Sequence, residues 1–187
     1  MSIIYNKSMI GIDEVGRGAW AGPLLVCAAR LNAPIDGLRD SKQLSSKKRQ
    51  ELAKIIHKNA DIGYGWVSAR VIDDIGLSEA LKMGAALAVS EILPLKDEQI
   101  IIDGNINFLP KLNVKTMIRA DSMVPSVSAA SIAAKVARDE LMYDLAVTYP
   151  GYKFEKHVGY GTKAHKEAIK KIGYCPEHRR CYKIKLT

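Results

Sequence analysis

A chain of 187 residues is long enough to bury one sizeable core, and 48% hydrophobic against 26% charged residues is the balance of an ordinary globular domain. No apolar run reaches the roughly 18 residues of a membrane span, MSIIYNKS carries no secretory apolar segment, and Cys27, Cys175 and Cys181 make no disulfide framework. These features exclude a membrane protein and a disulfide-stapled secreted one, and the expectation is a cytoplasmic monomer without membrane association.

In chain order, Met9–Ile12 is a short apolar run of strand character that ends on two adjacent acids, Asp13 and Glu14. Gly16-Arg17-Gly18 and Gly22-Pro23 follow, a stretch where the backbone can make close approaches and offer N–H groups beside a guanidinium. Pro23–Leu31 is a second apolar run, expected to pair antiparallel with the first. The loop Asn32–Lys42 leads to a helix over Lys47–Asn59, capped by Ser45 or Ser46, with Leu52, Ile55 and Ile56 on one face. Asp61–Ala69 alternates as a strand, and helices are expected over Arg70–Ile75 and Ser78–Leu93, the latter stopped by Pro94. Gln99–Asp103 and Val114–Asp121 repeat the first pattern, an apolar run ending on an acid. Ser126–Tyr149 is an Ala-rich helix broken by Pro150-Gly151, and Thr162 caps a last helix to Ile172, closed by Gly173.

The order predicts an α/β domain, a five-stranded mixed sheet flanked by helices over residues 1–150, with a short basic C-terminal helical appendage over 151–187 packed on it. The net charge of +8 sits mainly in that appendage, with ten lysines and arginines against three acids, whereas the preceding chain has eighteen against seventeen. Such a surplus points to a polyanion, nucleic acid before an acidic membrane surface.

Three strands that each deliver an acid at or just past the carboxyl end put Asp13, Glu14, Asp103 and Asp121 where open α/β sheets bind ligands. So many carboxylates at close quarters oppose folding unless cations hold them, and oxygen-only ligands select Mg²⁺ or Mn²⁺ over zinc. A pair of such ions suits hydrolysis of a phosphodiester. Cys175, His178 and Cys181 offer an incomplete zinc set, and His157 and His165 are either proton carriers or structural histidines. No glycine-rich loop carries the lysine and hydroxyl of an NTPase.

Gly11–Pro23 (GIDEVGRGAWAGP), Asp40-Ser41-Lys42 with Leu44-Ser45, Asp103-Gly104-Asn105, Asp121 with Ser126–Asp139 (SVSAASIAAKVARD), and His157–His165 (HVGYGTKAH) together resemble the type 2 ribonucleases H, the bacterial ribonuclease HII family. The resemblance is collinear over nearly the whole chain. It implies a ribonuclease H-like fold and a metal-dependent endonuclease that cuts RNA–DNA hybrids, and DNA duplexes containing ribonucleotides, on the 5′ side of a ribonucleotide to leave 5′-phosphate and 3′-hydroxyl ends. Carried over, Asp13, Glu14, Asp103 and Asp121 are the metal-binding catalytic acids, and Gly16, Arg17 and Gly18 are the loop that reads the ribose 2′-hydroxyl. Tyr160 is the ring that stacks on the next deoxyribose, excluding a second 2′-hydroxyl there. Ala19-Trp20 departs from the family pattern of proline and a smaller aliphatic residue, which bears on the path of that loop. Ser41, Lys42, Lys135, Lys163 and Lys166 are expected phosphate contacts, with Arg138, Ser126, Ser128 and Ser131 as further candidates. No obvious clamp-binding tail is present, so recruitment by a replication clamp is left open. The rival readings are a junction resolvase-like nuclease of the same fold and a nucleic-acid-binding module without catalysis.

Overall fold

The computed structural model describes residues 9–38, 41–96 and 98–185. Asp40, expected beside Ser41 and Lys42, lies outside them. Strands β1 (Met9–Val15), β2 (Leu24–Leu31), β3 (Ala60–Val67), β4 (Gln99–Asp103) and β5 (Val114–Met117) form one sheet in the order β3-β2-β1-β4-β5. β1 pairs antiparallel with β2 and parallel with β4, and β4 pairs parallel with β5. The sheet is therefore mixed, and the carboxyl ends of β1 and β4 lie side by side.

The period of two divides the core. Even-numbered Ile10, Ile12, Val26, Ala28, Ile100 and Ile102 face α2 (Ala69–Ile92), while Leu25, Cys27, Ala29 and Leu31 face α1 (Ser46–Asn59) and α3 (Pro125–Thr148). Gly11 sits on the α3 face, where a Cβ would fall 2.1 Å from the Val127 nitrogen, so the missing side chain is what lets α3 lie directly on β1.

Ser45 caps α1 by accepting from the Lys48 N–H, and Ser68 caps α2. The two helices expected over Arg70–Ile75 and Ser78–Leu93 are both present, as two helical segments of α2 on either side of Gly76, whose φ of 79° and ψ of 160° are not helical. The strand expected to run to Asp121 stops at Met117, because Arg119 turns left-handed (φ 59°), and Asp121 falls in a short 3-10 turn, Ala120–Ser122. After α3 come the single turn α4 (Phe154–His157) and α5 (Lys163–Ile172), the latter capped by Thr162 and ended at Gly173 as expected. These last elements pack with Ala21 and the second half of α3 in a separate small core that includes Met142, Phe154 and Ile169. Among the described residues, no helix is long and apolar enough to cross a membrane.

Candidate nuclease-type site

Parity decides which acids meet. Asp13 shares the α3 face with Gly11, and Asp103 occupies the corresponding position at the end of β4. The 3-10 turn brings Asp121 to the same place, and the turn is tied to the strand by the Ala120 N–H, which donates to Asp103 Oδ1 at 2.7 Å. Carboxylate oxygens of Asp13, Asp103 and Asp121 all lie within 4.8 Å of one another. Glu14, one residue on, starts from the opposite face and turns at the strand end toward the Arg17 guanidinium, 3.5 Å away.

Asp13 and Glu14 carry the mark of burial and of the charges beside them. Burial pushes Asp13 from 3.8 up to about 7, with the nearby Glu14 and Asp103 charges adding to the rise, while hydrogen bonds from Ser131 and from the Glu14 N–H (2.8 Å) hold it lower. Burial also raises Glu14, opposed chiefly by Arg17 and more weakly by Lys42. An oxygen-only donor set this tight, with one carboxyl already biased toward its neutral form by burial and then by neighbouring charge, suits a hard divalent cation.

The acids open into a cleft of about 370 Å³ that Asp13, Glu14 and Asp103 share with Gly16, Arg17, Gly18, Ser41, Lys42, Arg49, Lys135 and Tyr160. Ser41 reaches it from a 3-10 turn and its hydroxyl bonds Ser131 Oγ on α3 at 3.0 Å, so the turn, the helix and Asp13 are linked. Lys135 is paired with Asp139 at 2.6 Å across one helical turn. Lys163 and Lys166, on α5, do not line the cleft, and Lys163 extends beside Glu167 with 91% of its side chain exposed. Ser126 and Ser128 are buried in the first turns of α3 and do not line it either.

The glycine-arginine-glycine loop is held from the C-terminal appendage. Gly16 (φ 85°) donates its N–H to the Tyr160 hydroxyl at 3.2 Å, which places that ring over the loop. Trp20 N–H donates to the Gly159 carbonyl at 2.8 Å, Gly22 N–H to Glu177 at 2.9 Å, and Arg179 N–H to Trp20 at 2.8 Å. The departure at Ala19-Trp20 is absorbed in the interior: Ala19 is fully buried and Trp20 packs on His165, ring centres 5.5 Å apart.

Arg138 is not a phosphate contact. It is fully buried, and its guanidinium donates to the carbonyls of Pro23 (2.8 Å), Ala21 (3.1 Å) and Val158 (2.9 Å), bracing the loop from below. Arg179, one of the ten basic residues of the C-terminal segment and not singled out by any motif, does the same from the other side, donating to Gly22 and Arg17. Arg49 was also missed. It lines the cleft while holding the Ser41 and Leu44 carbonyls.

His157, His165 and His178 form a buried stack, with rings of the first two 4.5 Å apart. Burial lowers all three, His165 and His178 to about 4, so they are neutral near pH 7 and serve as packing and hydrogen-bonding groups rather than proton carriers. Cys175 Sγ lies 3.2 Å from His178 Nδ1, but Cys181 is directed to Asp73 and Ile72, so no three-ligand set forms there.

Comparison with known proteins agrees with this geometry. The family model described as Ribonuclease HII matches residues 10–187. A protein of Campylobacter jejuni subsp. doylei named Ribonuclease HII is 47% identical over 180 residues, covering 96% of this chain and 93% of its own. Among solved structures, the Archaeoglobus fulgidus PCNA:RNase HII complex matches with a TM-score of 0.79 and 27% identity over 95% of this chain and 96% of that one. Bst-RNase HIII in complex with Mn²⁺ matches with a TM-score of 0.64 and 26% identity over 88% and 62%. The expected ribonuclease H-like fold is the one these neighbours share.

Proposed function

We propose, from the premise that this chain belongs to the ribonuclease HII family and is an endoribonuclease of the ribonuclease H type, that it hydrolyses the phosphodiester on the 5′ side of a ribonucleotide, in RNA–DNA hybrids and at ribonucleotides embedded in duplex DNA. The products are 5′-phosphate and 3′-hydroxyl ends. The observation that carries the reading is that Asp13 and Asp103, whose carboxylates lie within 4.8 Å of each other and of the buried Asp121, line the same cleft as Gly16-Arg17-Gly18 and Tyr160.

Asp13, Asp103 and Asp121, with Glu14 at their edge, would hold Mg²⁺ or Mn²⁺. Bound divalent ions supply an activated water and charge stabilisation at the leaving oxygen. The chain's own residues do the rest. Gly18, with nothing within 4 Å of where a Cβ would be, would admit the sugar-phosphate backbone close to the loop, Gly16 lets the loop lie directly on the Arg138 side chain, and the Arg17 guanidinium, Lys42 and Lys135 would attract the phosphates. The Tyr160 ring, fixed by its bond from Gly16, would stack on a deoxyribose and exclude another 2′-hydroxyl there.

The test is a short DNA duplex with one ribonucleotide beside an all-DNA duplex and a branched DNA, each with Mg²⁺, with Mn²⁺ and with chelator. Cleavage restricted to the ribonucleotide strand, dependent on the ion and reduced at least about 10²-fold by Asp103→Asn, is expected. Cutting of the branched all-DNA substrate would make the protein resolvase-like. Binding without cleavage, and an Asp103→Asn protein indistinguishable from wild type, would leave a binding module.

A further inference from the structure

The peptide between Arg17 and Gly18 is held by its carbonyl alone. Arg17 C=O accepts from Arg179 Nη1 at 3.0 Å and from the Tyr182 hydroxyl at 2.5 Å, and those two donors are joined to each other at 3.0 Å. The Arg179 guanidinium lies over the Tyr182 ring, 5.3 Å from its centre, and its remaining nitrogens are committed to Gly22 C=O. Arg179 is fully buried and has no carboxylate partner among the described residues, so its position is set by these acceptors and not by a mobile ion pair.

A peptide bond is planar, and no cis bond occurs among the described residues. The carbonyl of Arg17 and the N–H of Gly18 therefore point in opposite directions. With the carbonyl drawn inward to a buried cation, the Gly18 N–H is turned outward, on the side of the cleft that Gly18 lines. Gly18 is exposed, nothing lies within 4 Å of where its Cβ would be, and its N–H donates to no group among the described residues. Without the two donors, a glycine-flanked peptide could rotate by half a turn and present an oxygen, which repels phosphate and cannot donate to an acceptor.

We propose that Arg179 and Tyr182 are positioning residues for recognition of the ribonucleotide: by clamping the Arg17 carbonyl they aim the Gly18 N–H into the cleft as a preset donor to the ribose 2′-oxygen. The inference rests on the proposed reading of the cleft as a ribonucleotide site and deepens it by naming what holds the donor in place. The clamp comes from the C-terminal appendage, more than 160 residues along the chain from the loop it orients.

Tyr182→Phe is the decisive variant, because the ring that supports the Arg179 guanidinium stays and only the hydroxyl donor goes. Affinity for a duplex with one ribonucleotide and for the all-DNA duplex is measured by fluorescence anisotropy with divalent ions chelated, and the Gly18 amide is followed by NMR. Losing one of two donors is expected to cut the ribonucleotide-to-DNA affinity ratio about three- to tenfold, to raise KM with kcat little changed, and to remove the Gly18 amide shift that the ribonucleotide duplex alone induces. Arg179→Lys, which loses the forked geometry, is expected to do more, and its melting temperature reports whether the fold survives. A Tyr182→Phe protein with the wild-type ratio, or one that weakens on both duplexes equally, overturns the clamp. A wild-type protein that binds both duplexes equally overturns the ribonucleotide reading itself and is distinguishable from either result.

Discussion

Asp13→Asn should make the ion-free protein more stable while destroying its activity. Asp13 titrates near 7 in the fold against 3.8 ordinarily, chiefly because it is buried and then because Glu14 and Asp103 are close. Below pH 4 the carboxyl is protonated in folded and unfolded chains alike, and its titration contributes nothing. Between about 4 and 7 the unfolded chain releases the proton while the native state keeps it, so stability falls as pH rises, and above 7 the whole cost is present. A difference of roughly three pH units is on the order of 4 kcal/mol. Water in the open cleft screens part of this, so a gain of about 1–3 kcal/mol for Asp13→Asn at pH 8 is the working figure. In a chain of this length that corresponds to about 3–10 °C in Tm. The asparagine oxygen still accepts the Glu14 N–H that now bonds Asp13 Oδ1, and the Ser131 contact is kept only if the new amide donates to the Ser131 hydroxyl. Calorimetry in chelator at pH 4, 6 and 8 should show the variant's advantage growing with pH. Added Mg²⁺ should stabilise wild type and leave the variant nearly unchanged. An Asp13→Asn protein that is less stable at pH 8, or whose advantage does not depend on pH, would refute the account of the cluster as a repulsive cage that a cation relieves.

Two other substitutions probe how the cleft is built. Gly11→Ala puts a methyl 2.1 Å from the Val127 nitrogen and must lift α3 from β1, so a loss of about 1–3 kcal/mol by denaturant titration is expected, along with reduced activity as Ser131 is drawn from Asp13. Lys42→Ala, which removes a cation from the cleft, should weaken binding to every nucleic-acid duplex and lower the salt dependence by about one unit, whereas Lys163→Ala, on the exposed face of α5, should leave both near wild type.

What was legible in the sequence and what was not divides along a physical line. β1 and β4 declare themselves because apolar runs ending on an acid follow from burial and strand period, and the Thr162 cap and Gly173 stop of α5 follow from local backbone chemistry. Asp121 was located but not its element, since the strand is ended by a left-handed Arg119, a conformation no side chain there announces. That Asp13 and not Glu14 faces Asp103 was implicit in the parity that also buries Gly11 against α3. The two arginines are the instructive failure. Arg138 is expected to meet phosphate and Arg179 belongs to the basic C-terminal segment, yet both spend donors on the carbonyls of residues 17–23, and Lys163 of that segment points into solvent. Carbonyl acceptors belong to every residue and leave no trace in sequence, so a cation that orients a loop looks the same as one that meets a phosphate. The distinction exists only in three dimensions, where a buried guanidinium without a carboxylate must find several carbonyls at once and in doing so fixes the direction of the peptides that own them.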